Sequence, residues 1–195
     1  MTDISALDTL ELDLPDAVAT DALGRALAAT QPAEAMVHLR GDLGAGKSTL
    51  ARAWLRALGV TGTIRSPTYT LVERYPLPAT ATGPSEALHL DLYRIGDPGE
   101  LEFLGLDDVE RALWLVEWPE RGARTLAPAD LLIRLELVEQ ELIAQEPAQQ
   151  APALHESAGV GRRCRLQAEG DAGRAWLARL RRGGRGSELP ALAEP

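Results

Sequence analysis

The chain has no asparagine and only one lysine, Lys47, so nineteen arginines carry nearly all of its positive charge. Arginine can replace lysine where charge alone is needed, but its guanidinium is broad and planar, whereas lysine ends in a compact charge on a flexible stem. The one lysine therefore marks a position where that geometry is required. Cysteine is equally scarce. Cys164 alone cannot form an intrachain disulfide, and we expect it to be a core or strand residue rather than a nucleophile.

The chain also lacks any long apolar run. No stretch approaches the roughly 18 residues that a membrane-spanning helix needs, and residues 1–10 are acidic rather than typical of a secretory signal. We therefore expect a cytoplasmic protein with no membrane partner. The formal net charge of −9 argues against broad binding of nucleic acid. Residues 162–185, however, hold eight arginines. A solvated helix face is their first interpretation, and contact with RNA or an acidic partner is the second.

The single lysine lies inside a glycine-rich octapeptide, GDLGAGKS, at residues 41–48. This is the pattern GxxxxGK[ST] of phosphate-binding loops, in which backbone N–H groups surround the phosphates and the lysine reaches the β- and γ-phosphates. A strand predicted at 35–40 leads into the loop, and a helix predicted at 48–58 follows, with the positive end of its dipole directed at the anion. Strand, loop and helix are the context that the motif requires.

Predicted strands and helices alternate along much of the chain, which indicates an α/β fold: a layered, P-loop NTPase-like fold with a central mixed sheet. We expect a single P-loop domain over residues 1–183, with a mobile loop at 139–160 and a disordered tail at 184–195. The predicted strands are 9–14, 35–40, 63–65, 70–75, 88–91, 112–117, 131–138 and 162–168, and the predicted helices are 16–29, 48–58, 98–104 and 171–182. A nucleotide is expected at the C-terminal ends of the strands.

Two of the predicted strands end in an acid. Asp91 closes the run LHLD, and Glu117 closes the run LWLVE. Beside a phosphate loop, a carboxylate at the end of a strand can bind Mg²⁺ or orient water. One such acid could equally cap a turn, but the presence of two in a chain with this loop favours the chemical interpretation.

Four motifs, in order and spacing, resemble those of the bacterial TsaE (YjeE) family: GDLGAGKS at 41–48, SPTYTLVE at 66–73, HLDLYR at 89–94 and EWPE at 117–120. The resemblance covers about residues 14–124 and is weaker out to the last helix. It implies an ATPase, slow without its partners, that is needed for threonylcarbamoyladenosine formation next to the anticodon of tRNAs reading codons that begin with A. It also implies a TsaD-like transferase and a TsaB-like subunit as partners, with tRNA met through that complex.

The resemblance further implies ATP and Mg²⁺ as cofactors and a role for each motif. Lys47 and Asp91 would be catalytic, with Asp91 near the γ-phosphate. Ser48, where threonine is commoner in the family, and Glu117 would bind Mg²⁺. The nucleotide would be held by Gly41, Asp42, Leu43, Gly44, Ala45, Gly46, Lys47, Ser48, Thr49 and Trp118. A loop that responds to the γ-phosphate would consist of Ser66, Pro67, Thr68 and Tyr69.

Two side chains in these motifs keep a second interpretation. His89 alternates with leucines, so it is interpreted first as a sheet residue and only second as a catalytic one. Trp118 precedes a proline and could be a core aromatic, although contact with the nucleotide is favoured.

Other classes of nucleotide-binding protein can be weighed by what the chain lacks. A Ras-type GTPase needs an Asn-Lys-x-Asp element for guanine, which a chain without asparagine cannot supply. A small-molecule kinase is the enzyme alternative; Arg121 and Arg124 could belong to its lid, but no acceptor motif is recognisable. A regulatory module, in which bound ATP or ADP sets the affinity for partners, is a third class.

Overall fold

The computed structural model describes residues 8–80, 83–106, 109–122, 125–138 and 161–183. In these residues seven strands form one sheet. The strands are β1 (Thr9–Leu14), β2 (Ala35–Arg40), β3 (Val72–Pro76), β4 (Glu86–Asp91), β5 (Ala112–Glu117), β6 (Leu131–Val138) and β7 (Gly161–Ala168). The α-helices are α1 (Ala17–Thr30), α2 (Lys47–Ala57) and α3 (Gly170–Gly183), and short 3₁₀ helices cover Pro98–Leu104 and Pro119–Arg121.

The sheet is mixed, in the order β1-β7-β6-β2-β5-β4-β3. Its centre is parallel, because β2 pairs with β5 and β6, and β5 pairs with β4, all in the same direction. Strands β3 and β7 run antiparallel to their neighbours. The α/β class and the mixed sheet predicted from the sequence are confirmed. Since parallel strands end at one edge, the segments that follow β2, β4 and β5 meet there.

Both faces of the central strands are covered. Alternate residues of β5 point to opposite sides: Leu113 and Leu115 join the core beneath the α-helices, whereas Val116 joins a second cluster that includes Leu101 of a 3₁₀ helix. Burial on both faces explains why β5 is nearly continuous in apolar residues. The strand is thereby held firmly, and its terminal Glu117 with it.

The helical layer is joined by two tryptophans. Trp54 of α2 and Trp176 of α3 are fully buried and meet edge to face, with ring centroids 5.6 Å apart. Their indole N–H groups donate to Gln31 and Thr30 at the C-terminal end of α1. A buried indole needs such a partner, so these bonds fix the three helices relative to one another.

Cys164 lies fully buried in β7, as expected for a core residue. Burial raises the pKa of its thiol well above the usual range, because the charged thiolate is disfavoured without water. A thiol with so little thiolate is a poor nucleophile.

One predicted strand, at 63–65, is wrong. The backbone there bonds to a side chain instead of a neighbouring strand: Arg65 N–H donates to the Tyr75 hydroxyl at 3.0 Å, and that hydroxyl donates back to the Arg65 carbonyl at 3.3 Å. Arg56 of α2 donates to the carbonyls of Val60 and Gly62. The backbone of Arg65 therefore bonds to Tyr75 and not to a neighbouring strand.

The predicted loop at 139–160 and tail at 184–195 lie outside the described residues, as does Arg124. Among the helices that the structure describes, none is both long and apolar enough to cross a membrane.

Candidate phosphate-binding site

The loop at 41–46 joins β2 to α2 and leaves the start of that helix open. Gly46 is the N-cap of α2 and makes no side-chain capping bond, and the first turn contains no acidic residue. The N–H groups of the first helical turn have no partner within the helix. They therefore remain available, together with the positive end of the helix dipole, to an anion.

Two glycines let the loop pack against β6 and β7. Gly41 has a φ of 139°, and a Cβ there would collide with the Leu135 carbonyl oxygen. Gly46 has a φ of 105°, and a Cβ would lie 2.7 Å from Arg162 Nε. Arg162 Nε donates to the Ala45 carbonyl at 3.0 Å. The loop is thus held from outside by β7, a contact that no sequence pattern indicates.

We expect Gly46→Ala to lower nucleotide affinity at least tenfold. The Cβ would strain a left-handed backbone by about 1–2 kcal/mol and would also push Arg162 away from the loop. Gly62→Ala is the matched control, because Gly62 has a φ of 77° but no atom within 4 Å of its added Cβ. Fluorescent-nucleotide titration and thermal melting of both variants check this. Wild-type affinity in Gly46→Ala would contradict it.

Lys47 is folded back over the loop. Its Nζ donates to the carbonyls of Gly41 at 2.7 Å and Asp42 at 2.9 Å, and lies 4.2 Å from the Trp118 ring centroid. Burial lowers the pKa of the ammonium, while the carboxylates of Glu117 and Asp91 act in the opposite direction. The ammonium is therefore fixed at the mouth of the phosphate loop by two carbonyls and an aromatic face.

The two predicted acids are neighbours at the edge of the sheet. Asp91 and Glu117 are cross-strand partners, each the last residue of its strand, and both are buried. The Ser48 hydroxyl donates to Glu117 Oε1 at 2.7 Å. Thr68 Oγ1 donates to Asp91 Oδ2 at 2.8 Å, and the Tyr93 N–H donates to Asp91 Oδ1 at 3.1 Å. Glu117 is thus bonded to the start of α2, and Asp91 to the segment at 66–69.

Only one residue of the 66–69 segment bonds to the carboxylates. Thr68 holds Asp91, and Ser66 Oγ lies 3.1 Å from Thr68 Oγ1. Pro67 is buried and accepts a bond from the Leu71 N–H. Tyr69 is 81% exposed, with the Arg94 guanidinium 4.4 Å from its ring centroid. Thr68 is therefore the link between this segment and the site.

These groups line a cleft of about 180 Å³. Its walls are Leu43, Gly44, Gly46, Lys47, Ser48, Thr49, Thr68, Asp91, Tyr93, Glu117 and Trp118. Whole-ligand pockets usually measure roughly 300 Å³ or more, so the cleft suits the phosphate end of a nucleotide and leaves the rest outside. Six of the predicted site residues do not line the cleft: Gly41, Asp42, Ala45, Ser66, Pro67 and Tyr69.

Ser48 and Glu117 fit a Mg²⁺ ion in chemistry and spacing. Both offer oxygen, and adjacent ligands of an octahedral Mg²⁺ lie about 3 Å apart, close to their observed separation of 2.7 Å. Within the described residues, no group of three or more His, Cys, Asp or Glu side chains could hold a metal. Mg²⁺ needs no such group, since it usually keeps water and substrate phosphates as ligands.

The protein-family comparison decides the family. The sequence model of the family "Threonylcarbamoyl adenosine biosynthesis protein TsaE" matches residues 14–146. This range includes the loop at 41–46, the 66–69 segment, Asp91 and Glu117. The chain belongs to the TsaE family. TsaE proteins take part in tRNA threonylcarbamoyladenosine biosynthesis.

Individual TsaE proteins are similar over most of their own length. The Haemophilus influenzae protein is 44% identical over 115 residues, which are 56% of this chain and 70% of that protein. The Synechocystis protein is 41% identical over 120 residues, which are 58% of this chain and 73% of that protein. A crystal structure of Bacillus subtilis YdiB covers 90% of this chain and 96% of its own, with a TM-score of 0.61 and 21% identity. That likeness supports the fold alone.

Three side chains at the TsaE site were not assigned a site role from the sequence. His89, interpreted first as a sheet residue, is buried with Nε2 2.8 Å from Glu117 Oε1. Tyr93 packs on Trp118, with ring centroids 5.0 Å apart. Both lie in the motif HLDLYR, which was the available signal. Arg162 lies outside the four motifs and had none.

Proposed function

We propose that this TsaE-family chain is an ATPase that binds ATP with Mg²⁺ and whose hydrolysis serves threonylcarbamoyladenosine formation on tRNA. The observation that carries the proposal is the convergence of Lys47, Ser48, Asp91 and Glu117 on one cleft at the start of α2. A lysine, a hydroxyl and two carboxylates at a phosphate loop are the groups that phosphoryl transfer requires.

Binding is divided among the loop, α2 and β5. Residues 41–49 hold the phosphates through backbone N–H groups, and Lys47 exchanges its two carbonyl partners for phosphate oxygens. Ser48 and Glu117 would hold Mg²⁺, which when bound would neutralise negative charge on the phosphates. Trp118, already stacked beside Lys47, covers one side of the bound nucleotide.

Asp91 is assigned to the attacking water. Its carboxylate lies beside Glu117 but is bonded to Thr68 and Tyr93 rather than to α2. An acid so placed can orient a water and accept its proton at Oδ1 or Oδ2. Since Thr68 donates to the same carboxylate, the 66–69 segment changes its bonding when Asp91 does, and in this way responds to the γ-phosphate.

The partners follow from the pathway. We propose a TsaD-like transferase and a TsaB-like subunit, with tRNA met through their complex and with slow hydrolysis in their absence. Leu43, in the wall of the cleft, is 77% exposed, and Tyr69, in the 66–69 segment, is 81% exposed. These exposed apolar side chains support a surface that a partner covers.

Reconstitution tests the function directly. Purified TsaD-like and TsaB-like partners, tRNA, an activated threonylcarbamoyl donor and ATP are combined with and without this protein, and modified tRNA and ADP are measured together. We expect repeated modification only when the protein is present, with faster ATP hydrolysis in the full mixture. Full modification without it would refute the proposal. Phosphate transferred to a metabolite, rather than released, would favour the small-molecule kinase.

ATP with Mg²⁺ is expected to stabilise the fold. A ligand at 100 times its Kd contributes about 2.7 kcal/mol, which for a domain of this size raises Tm by roughly 5–10 °C. Thermal melts with and without nucleotide measure the shift, and Lys47→Ala, which removes the ammonium, should reduce it. If neither ATP nor ADP shifts Tm at saturation, the nucleotide site is wrongly assigned.

A further inference from the structure

His89 is a polar side chain within a buried strand. It lies in β4 between Leu88 and Leu90, with 1% of its surface exposed. Its Nε2 is 2.8 Å from Glu117 Oε1, and its Nδ1 is buried with no hydrogen-bond partner among the described residues. Nε2 therefore contacts a residue of the site, whereas Nδ1 is buried without a polar contact among the described residues.

Packing alone does not account for a histidine in this place. Burying a polar group without full hydrogen bonding lowers stability, whereas a leucine would fill a similar volume without that loss. The strand already places leucines on either side. The contact with Glu117 is what distinguishes the imidazole from an apolar neighbour.

The chemistry of the two groups assigns the direction of the bond. An ionised carboxylate only accepts hydrogen bonds, so His89 donates from Nε2. In the neutral imidazole Nδ1 is then an acceptor, and a buried acceptor without a partner is tolerated more readily than a buried N–H. Glu117 Oε1 accepts a second bond from the Ser48 hydroxyl at 2.7 Å. Two donors, from β4 and from α2, fix the orientation of this carboxylate.

We propose that His89 is a positioning residue for the Mg²⁺ site: by donating from Nε2, it holds the Glu117 carboxylate in the orientation that binds the ion together with Ser48. The inference rests on the proposed Mg²⁺·ATP function and deepens it. Groups that orient a metal ligand from behind typically change metal affinity 10–100-fold when they are replaced. His89 is not among the residues that line the cleft, so its effect on the ion passes through Glu117.

Two amide variants separate the donor from the packing. In His89→Gln the amide nitrogen takes approximately the place of Nε2, and in His89→Asn that of Nδ1, out of reach of Glu117. ATP affinity is titrated in EDTA and at increasing Mg²⁺. We expect His89→Asn to need at least tenfold more Mg²⁺ than the wild type to reach half of the Mg²⁺-dependent gain in ATP affinity. The Mg²⁺ concentration that His89→Gln needs should stay within about threefold of the wild-type value. Both should bind ATP in EDTA as wild type does. His38→Gln, on β2, is the control and should leave the Mg²⁺ dependence unchanged.

The outcomes distinguish this inference from the proposed function. If the wild type binds ATP without any Mg²⁺ dependence, the proposed metal site is wrong and this inference falls with it. If the wild type responds to Mg²⁺ and His89→Asn responds equally, only the role of His89 is refuted. An equal loss of ATP affinity in EDTA would also refute it, because the residue would then shape the cleft and not the ion site.

A spectroscopic measurement on the wild type avoids any dependence on how a variant folds. In ¹⁵N-labelled protein, the ring proton of His89 should reside on Nε2 and be protected from exchange, and it should lose that protection in Glu117→Ala. A ring proton found on Nδ1 would reverse the donor and overturn the proposal.

Discussion

Lys47→Arg is expected to lower ATP hydrolysis at least 10²-fold and nucleotide affinity at least tenfold, although the positive charge is kept. The ammonium fits between the carbonyls of Gly41 and Asp42, with Trp118 over it. A planar guanidinium is too broad for this buried place and cannot present one point of charge between the β- and γ-phosphates. Single-turnover hydrolysis and nucleotide titration measure the two effects.

Two further variants show whether geometry or charge decides. Lys47→Met removes the charge while nearly keeping the length of the side chain. We expect its rate of ATP hydrolysis to be within a few fold of that of Lys47→Arg. Arg52→Lys, on the exposed side of the same helix, makes the converse exchange away from the cleft and should leave hydrolysis unchanged. If Lys47→Arg supports full tRNA modification, the requirement for a lysine at this position is refuted.

The fold and the centre of the site could be predicted because their signals are local. The loop motif joins a strand to a helix within about twenty residues, and its chemistry is contained in eight of them. Asp91 and Glu117 were proposed for the site because each ends an apolar run. That they are cross-strand partners depends on β4 pairing in parallel with β5, a long-range register that neither run specifies alone.

The remaining contacts join residues far apart in the chain, and local patterns do not contain them. Arg162 reaches Ala45 across 117 residues of sequence, and His89 reaches Glu117 across 28. The wrong strand at 63–65 involves residues only ten apart, but it too depends on a side-chain contact, because the Tyr75 hydroxyl bonds to the Arg65 backbone that a ladder would have used. Periodicity describes which face of an element is apolar, but not which side chain will meet its backbone.

Asp91→Asn and Glu117→Gln are expected to fail in different ways, because the two carboxylates bond to different parts of the site. In Asp91→Asn, the amide oxygen can replace Oδ1 and accept from the Tyr93 N–H, while the amide NH2 replaces Oδ2 and donates to the Thr68 hydroxyl oxygen. The fold and ATP binding should therefore persist. Hydrolysis should fall about 10²-fold or more, the scale of a lost general base. Partner assembly should survive with ATP trapped, while tRNA modification stops.

In Glu117→Gln the amide oxygen can still accept from Ser48 and His89, the two groups that Oε1 now holds. The negative charge that attracts Mg²⁺ is lost, however, so Mg²⁺-dependent binding of ATP should weaken at least tenfold, while binding in EDTA changes little. Raising the Mg²⁺ concentration should restore part of the activity of this variant but none of that of Asp91→Asn.

Titrating Mg²⁺·ATP and following single-turnover hydrolysis for both variants separates the two roles. Asn and Gln remove one charge each with almost no change in volume, so each variant is the control for the other. An equal loss of binding would mean that both acids bind the ion and that the roles are wrongly divided. Unchanged hydrolysis in Asp91→Asn would remove that residue from catalysis and leave its bond to Thr68 as a structural link between β4 and the 66–69 segment.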